Sequence, residues 1–199
     1  MKKQLTDLLY QALETEQGGM KIYSFATTCA VNKDLKEEWT KYLAETTLHE
    51  EILLDLMSKV GLNPRTRTPG RRVVGHIGKS LLKAMQMAQA AGDKKAAELV
   101  AAECVVLAET KDHLNWSLIG EMATRVPGAN GKALKAAHAL VEDQEDEHLY
   151  HTTGWTRELW FKALGVPAVL PPPEEEKEVK TAIGAARAKQ ARRQMQPRK

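Results

Sequence analysis

Residues 141–155 read VEDQEDEHLYHTTGW, and Val141, Glu145, His148, Thr152 and Trp155 recur within them at steps of three and four. That period puts all five on one face of an α-helix, where a strand would need strict alternation. Leu134 and Ala137 or His138 keep the same spacing upstream, so the stretch belongs to one long helix predicted over about 131–164 and stopped by Gly165-Val-Pro167. A carboxylate and an imidazole three residues apart interrupt its apolar stripe, and both point at the same layer of the core that the helix faces.

The same period predicts three more long helices. The first covers 3 to 29 or 30, with Leu5, Leu9, Ala12, Glu16, Gly19 and Tyr23 in register. Asn32 to Asp34 supplies a turn and N-cap for the second, which ends near Val60 at Gly61 and Pro64 and carries Tyr42, Glu45, His49, Ile52 and Leu56 on its inner stripe. Asp93 caps the third, which continues to about Arg125 before Val126-Pro127-Gly128, with Glu109, His113 and Trp116 on one side. Between the second and third, residues 63–72 hold two prolines and four arginines and are expected as an exposed connection, followed by a short helix over about 77–91.

No window alternates strictly and no 20–50-residue period repeats, which argues against sheets and solenoids. The expected fold class is all-α: a four-helix bundle over 1–168, with an extra short helix in the connection between the second and third long helices. Residues 169–199 form a Pro-rich, then basic, C-terminal tail. Pro171-Pro172-Pro173 opens that tail as either a solvated helix or an extended arm, with too few large apolar residues to add much core.

Charge and composition narrow the function classes. With 43% hydrophobic and 28% charged residues over 199 positions, the chain is long enough to bury one sizeable core. No apolar stretch approaches a bilayer span, and the N-terminal lysines lead into no continuous apolar segment. Neither a membrane partner nor a secretory signal is expected, and the expected location is cytoplasmic. The net charge of +3 belongs to the tail, whose surplus from Pro171 onward is four, leaving the preceding residues near −1. Without interleaved aromatics for base stacking, that basic end does not point to nucleic acid. Cys29 and Cys104 stand alone and are expected to be reduced and buried.

The chemistry lies in what interrupts the apolar stripes. A single Glu on such a stripe is usually a boundary residue whose head reaches water, but here each long helix carries one. Glu16 and Glu109 offer lone carboxylates, while Glu45 with His49 and Glu145 with His148 offer carboxylate–imidazole pairs. Burying such groups is costly unless a cation holds them. One Glu from each of two helices and a Glu–His pair from each of the other two is how bundles build paired-metal carboxylate sites. His113 reads equally as ligand or as a polar residue bonded to Asp112 or solvent, and Glu142 replaces Glu145 if the helix is rotated. Carboxylates with two imidazoles suit iron first, then manganese, with zinc able to occupy the same ligands. His76, His138 and His151 are expected at the surface or boundary, and Trp116, Trp155 and Trp160 in the core.

In these features the chain resembles the ferritin-like superfamily, which includes bacterioferritins, rubrerythrins and smaller stress-associated ferritin-like proteins. Glu145-x-x-His148 matches that family's fourth-helix motif, and Glu16 followed seven residues later by Tyr23 matches its first helix, which makes Tyr23 a residue near the metals. The second helix departs, since Glu45 and His49 are four apart where the family has Glu-x-x-His. The resemblance implies two Fe ions, reaction with oxygen or hydrogen peroxide as a ferroxidase or peroxide-reducing protein, and a small homo-oligomer or monomer. Lacking rubredoxin-like Cys pairs, the chain would take electrons from an external, unknown donor. Other expectations are an oxygenase acting on an organic substrate, which needs an apolar cavity beside the metals, and a non-enzymatic bundle that binds a partner with structural or no metal.

Overall fold

The structure, a computed structural model, describes residues 2–196; the tail's last three positions, 197–199, lie outside it. Eight helices and no strand are present among the described residues: α1 (Lys3–Cys29), α2 (Lys33–Lys59), α3 (Pro69–Ala90), α4 (Lys94–Ala123), α5 (Gly128–Ala139), α6 (Glu142–Ala163), α7 (Pro173–Glu176) and α8 (Ala182–Met195). None is long and apolar enough to cross a membrane. The starts follow local chemistry. Asn32 Oδ1 accepts the amides of Asp34 and Leu35, and Asp93 Oδ1 those of Lys95 and Ala96, so each satisfies donors that a helix leaves free at its first turn.

Two expectations about helix extent need correction. The extra helix starts at Pro69 and spans 22 residues, because Thr68 accepts the Arg71 amide and proline suits the first helical position. The connection before it is not wholly exposed either. Arg71 is buried and binds Glu14 Oε2 at 2.7 Å, Gln17 Oε1 at 3.1 Å and the carbonyls of Pro64 and Thr66. The helix predicted over 131–164 is divided. α5 ends at Ala139, Leu140 and Val141 donate to carbonyls only three residues back, and a new helix begins at Glu142. Three carboxylates in the first turn of α6 favour its positive N-terminal end, while Val141 stays fully buried. The apolar stripe therefore passes through the break without interruption.

Two apolar clusters sit one above the other. The first gathers Tyr23 of α1, Trp39 and Tyr42 of α2, Met85 of α3, Val105 of α4 and Trp155 of α6. The second gathers Leu9, Leu53, Leu56, Trp116, Leu134 and Val141. On α1, α2, α4 and α6 the residues between these two sets include Glu16, His49, Glu109, Glu145 and His148, all buried. Trp160 departs from expectation: it is 39% exposed and gives its indole N–H to Glu103 at the surface.

The tail also departs from a solvated arm, because it folds back on α6. Buried Glu158 accepts the Val169 amide at 2.8 Å, Arg157 Nε at 2.8 Å and Arg192 Nε, while buried Glu174 binds the Arg157 guanidinium. Arg192 also lies over the Phe161 ring at 4.2 Å. Val179, Ala185 and Ala188 pack with Tyr150 as a small separate core. Ion pairs rather than apolar bulk hold this segment, which is why its composition did not betray it.

Two substitutions test these readings. A Cβ at Gly131 would stand 1.8 Å from the Val126 carbonyl oxygen, a backbone atom with nowhere to move. Gly131→Ala is expected to lower stability by about 2 kcal/mol in denaturant titration, the range of core overpacking. Arg192→Ala leaves a buried carboxylate short of a partner, a loss of about 3 kcal/mol in comparable pairs. Amide exchange should then accelerate across α8 while α1 and α4 stay protected; protection of α8 at the original level would contradict the docking.

Candidate metal centre

The polar layer between the apolar clusters brings side chains of four helices to one point. His49 Nδ1 lies 3.0 Å from Glu145 Oε1 and 3.8 Å from Glu16 Oε1, and His148 Nδ1 lies 3.6 Å from Glu109 Oε2. Two sets of three have ligand-capable atoms within 4.8 Å of one another: Glu16, His49 and Glu145, and Glu109, Glu145 and His148. Glu145 belongs to both. A carboxylate has two oxygens, so one shared between adjacent triads has the geometry to bridge two cations.

The outer nitrogens of the two imidazoles are fixed by α6 and α2. His148 Nε2 meets Glu45 Oε2 at 2.9 Å, and His49 Nε2 meets Gln144 Oε1 at 2.8 Å. Gln144 Nε2 in turn donates to Glu45 Oε1 at 3.3 Å. An imidazole that donates through Nε2–H keeps a lone pair on Nδ1, so both rings present an acceptor to the layer. The spacing of Glu45 and His49 thus puts Glu45 on the back of His148, outside both triads. The position three residues before His49 is held by buried Thr46.

The layer is short of protons and cations. Glu16 Oε2, His49 Nδ1, Glu109 Oε2, Asp112 Oδ1, both Glu145 oxygens and His148 Nδ1 are buried without a hydrogen-bond partner. Native interiors pair more than about 90% of such atoms, so orphans converging on one point call for a ligand. Burial, reinforced by neighbouring carboxylates, pushes Glu16 and Asp112 well above the usual carboxylate range and Glu145 up to about 8. Burial opposes a charged His148, but Glu109 and Glu45 outweigh it and hold the imidazole up at about 10. Burial and the neighbouring His148 lower His49.

Of the residues singled out in the sequence, Glu16, His49, Glu109, Glu145 and His148 meet in the layer. Tyr23 is beside it, fully buried, its ring edge-on to His148 at 6.2 Å and its phenol pushed well up by burial and Glu109. His113 and Glu142 stand outside: His113 bonds Asp146 at 2.7 Å, and Glu142 faces solvent beside His138 at 3.5 Å. His151, expected at the surface, is buried with its Nδ1 3.0 Å from the Tyr42 hydroxyl. Two residues of the layer were missed. Asp112 carries a spacing signal, three residues after Glu109, whereas Gln144 carries none, since its role depends on the helix break.

The pH dependence of metal-free protein tests this electrostatics. Glu145 rises from 4.5 to about 8 and His148 from 6.5 to about 10 on folding. The folded chain therefore binds more protons than the unfolded chain inside those windows, and stability falls as pH rises through them. His49, shifted down, opposes this only near and below 6.5. Melting temperature is expected to be lower at about pH 9 than at about pH 7, with a shallower slope in Glu145→Gln; a rise over that interval would refute the assignment. Comparison of the chain with family models, with curated proteins and with solved structures found no match.

Proposed function

We propose that the chain is a ferritin-like four-helix carboxylate protein that holds two iron ions, or manganese in their place, and reacts with oxygen or hydrogen peroxide. The observation that carries this reading is the convergence of unpartnered buried oxygens and Nδ1 atoms on Glu145. Donor chemistry supports it: hard carboxylate oxygens with two imidazoles and no thiolate suit iron or manganese over structural zinc. Glu145-x-x-His148 and the Glu16–Tyr23 spacing add the sequence resemblance.

The residues present fit such a pair. Glu16 with His49 would hold one ion, Glu109 with His148 the other, and Glu145 would serve both, with Asp112 as a further carboxylate. Two ferrous ions side by side supply one electron each, the two that reduction of hydrogen peroxide to water requires. The chain's own part is to hold charge and protons. Glu145 carries its proton up to about pH 8 in the metal-free state, so cation binding must displace that proton and tightens as pH rises. Gln144 and Glu45 keep both Nδ1 lone pairs facing inward. The cleft that reaches Glu145 is lined by His113, Glu121, His138, Glu142 and Asp146, which suits small polar reactants over an apolar organic substrate.

Anaerobic loading with Fe2+, desalting and metal analysis test the proposal, with about two ions per chain expected. Exposure to oxygen and, separately, to hydrogen peroxide should then raise ferric absorbance in the near ultraviolet. Glu145→Ala is expected to lose at least one ion. Glu45→Gln should keep two with about tenfold weaker retention, the usual consequence of losing an outer-sphere partner. Loading near zero in folded protein would leave a binding protein without metal as the surviving reading.

A further inference from the structure

The break between α5 and α6 opens a cleft of about 270 Å³ whose floor includes Glu145 and Trp116 and whose wall includes Gly120. Its ionisable groups are graded in depth. Side-chain exposure is 61% at Glu142, 28% at His113, 24% at Asp146 and 2% at Glu145. They form successive imidazole–carboxylate pairs, His138 with Glu142 at 3.5 Å and His113 with Asp146 at 2.7 Å. At the bottom, both Glu145 oxygens are buried and lack a hydrogen-bond partner. None of the lining residues is Lys or Arg. Gly120 makes room for this arrangement, because a Cβ there would stand 2.3 Å from His138 Nε2.

A polar cleft with carboxylates at every depth, ending on an unpartnered carboxylate, attracts cations and repels anions. Each imidazole–carboxylate pair offers a cation exchangeable oxygen and nitrogen donors on the way in. We infer that this cleft is the inlet through which divalent cations reach the buried layer, with Glu142 and His138 at its mouth and Asp146 and His113 midway. The inference rests on the metal-centre reading above, and it assigns His138, Glu142, His113 and Asp146 to the rate of loading rather than to the bound state.

Without the inlet, an ion would have to wait for the helices to separate locally, so loading would be slow and insensitive to surface charge at this point. With it, loading depends on the potential at the mouth and falls with ionic strength. A second acidic pocket, holding Glu37, Glu38, Glu147 and Glu175, contains no member of either triad. Exposed Glu37 therefore serves as a control of equal charge.

The test is stopped-flow binding of Co2+ to metal-free protein at low salt, read by the visible absorption of the bound ion, with equilibrium stoichiometry measured in parallel. Glu142→Lys is expected to slow association about tenfold and Glu37→Lys less than about twofold, with the difference shrinking at high salt. Asp146→Asn, which removes a cleft charge without adding bulk, should slow association by a smaller factor, and all three should still bind about two ions per chain. Equal rates for the Glu142 and Glu37 variants, with binding intact, would overturn the inlet alone. Failure of the unsubstituted protein to bind Co2+ at all would overturn the metal centre and the inlet together.

Discussion

Everything in this structure is arranged around a layer of carboxylates and imidazoles with no water and too few hydrogen bonds. Glu16, Glu109, Asp112, Glu145, His49 and His148 lie between two apolar clusters that close over them from both ends. An isolated charge in such a place costs several kcal/mol even after relaxation. The metal-free chain meets that cost by holding protons, which is why burial drives Glu16, Asp112 and Glu145 upward together. A divalent cation replaces those protons with a stronger partner. Stability, proton release and metal affinity are then three readings of one equilibrium.

Around that layer, positioning is done by hydrogen bonds that do not face it. The Gln144 amide spans His49 and Glu45, and Glu45 spans Gln144 and His148, so one side chain on α6 and one on α2 set the direction of both rings. Next to it Tyr42 packs on His148 at 4.1 Å and gives its proton to Glu38 at 2.5 Å, while Trp155 donates to the same carboxylate. Buried polar groups satisfied in this way hold a single geometry. The orphaned atoms are confined to the side where a ligand is expected.

The divided helix joins the two functional proposals. Had α5 continued into α6 without a break, the chain on either side of residue 141 would have formed one closed wall. Restarting at Glu142 sets the acidic first turn of α6 at the edge of a cleft, with Gln144 and Glu145 just inside it. Farther along the same helix, Arg157 and Glu158 anchor the tail. One helix therefore carries the shared carboxylate, the orienting amide and the docking ion pairs.

The sequence by itself determined the helices and most of the layer. A period of three to four is a local property, and caps such as Asn32 and Asp93 act within one turn, so α1, α2 and α4 were legible to within a residue or two at most ends. Carboxylates and imidazoles on apolar stripes were legible for the same reason. Tertiary structure decided what the period does not encode. The break at 140–141 was invisible because Leu134, Ala137, Val141 and Glu145 keep their spacing across it. The roles of Glu45 and Gln144 depend on which neighbour each side chain meets, and Asp112 had to be packed against Glu16 to become part of the layer. The docking of the tail likewise rests on Glu158, Glu174, Arg157 and Arg192 finding one another across 16 to 35 residues of chain. Long-range ion pairs leave no periodic trace in a sequence, because their partners are chosen by the fold.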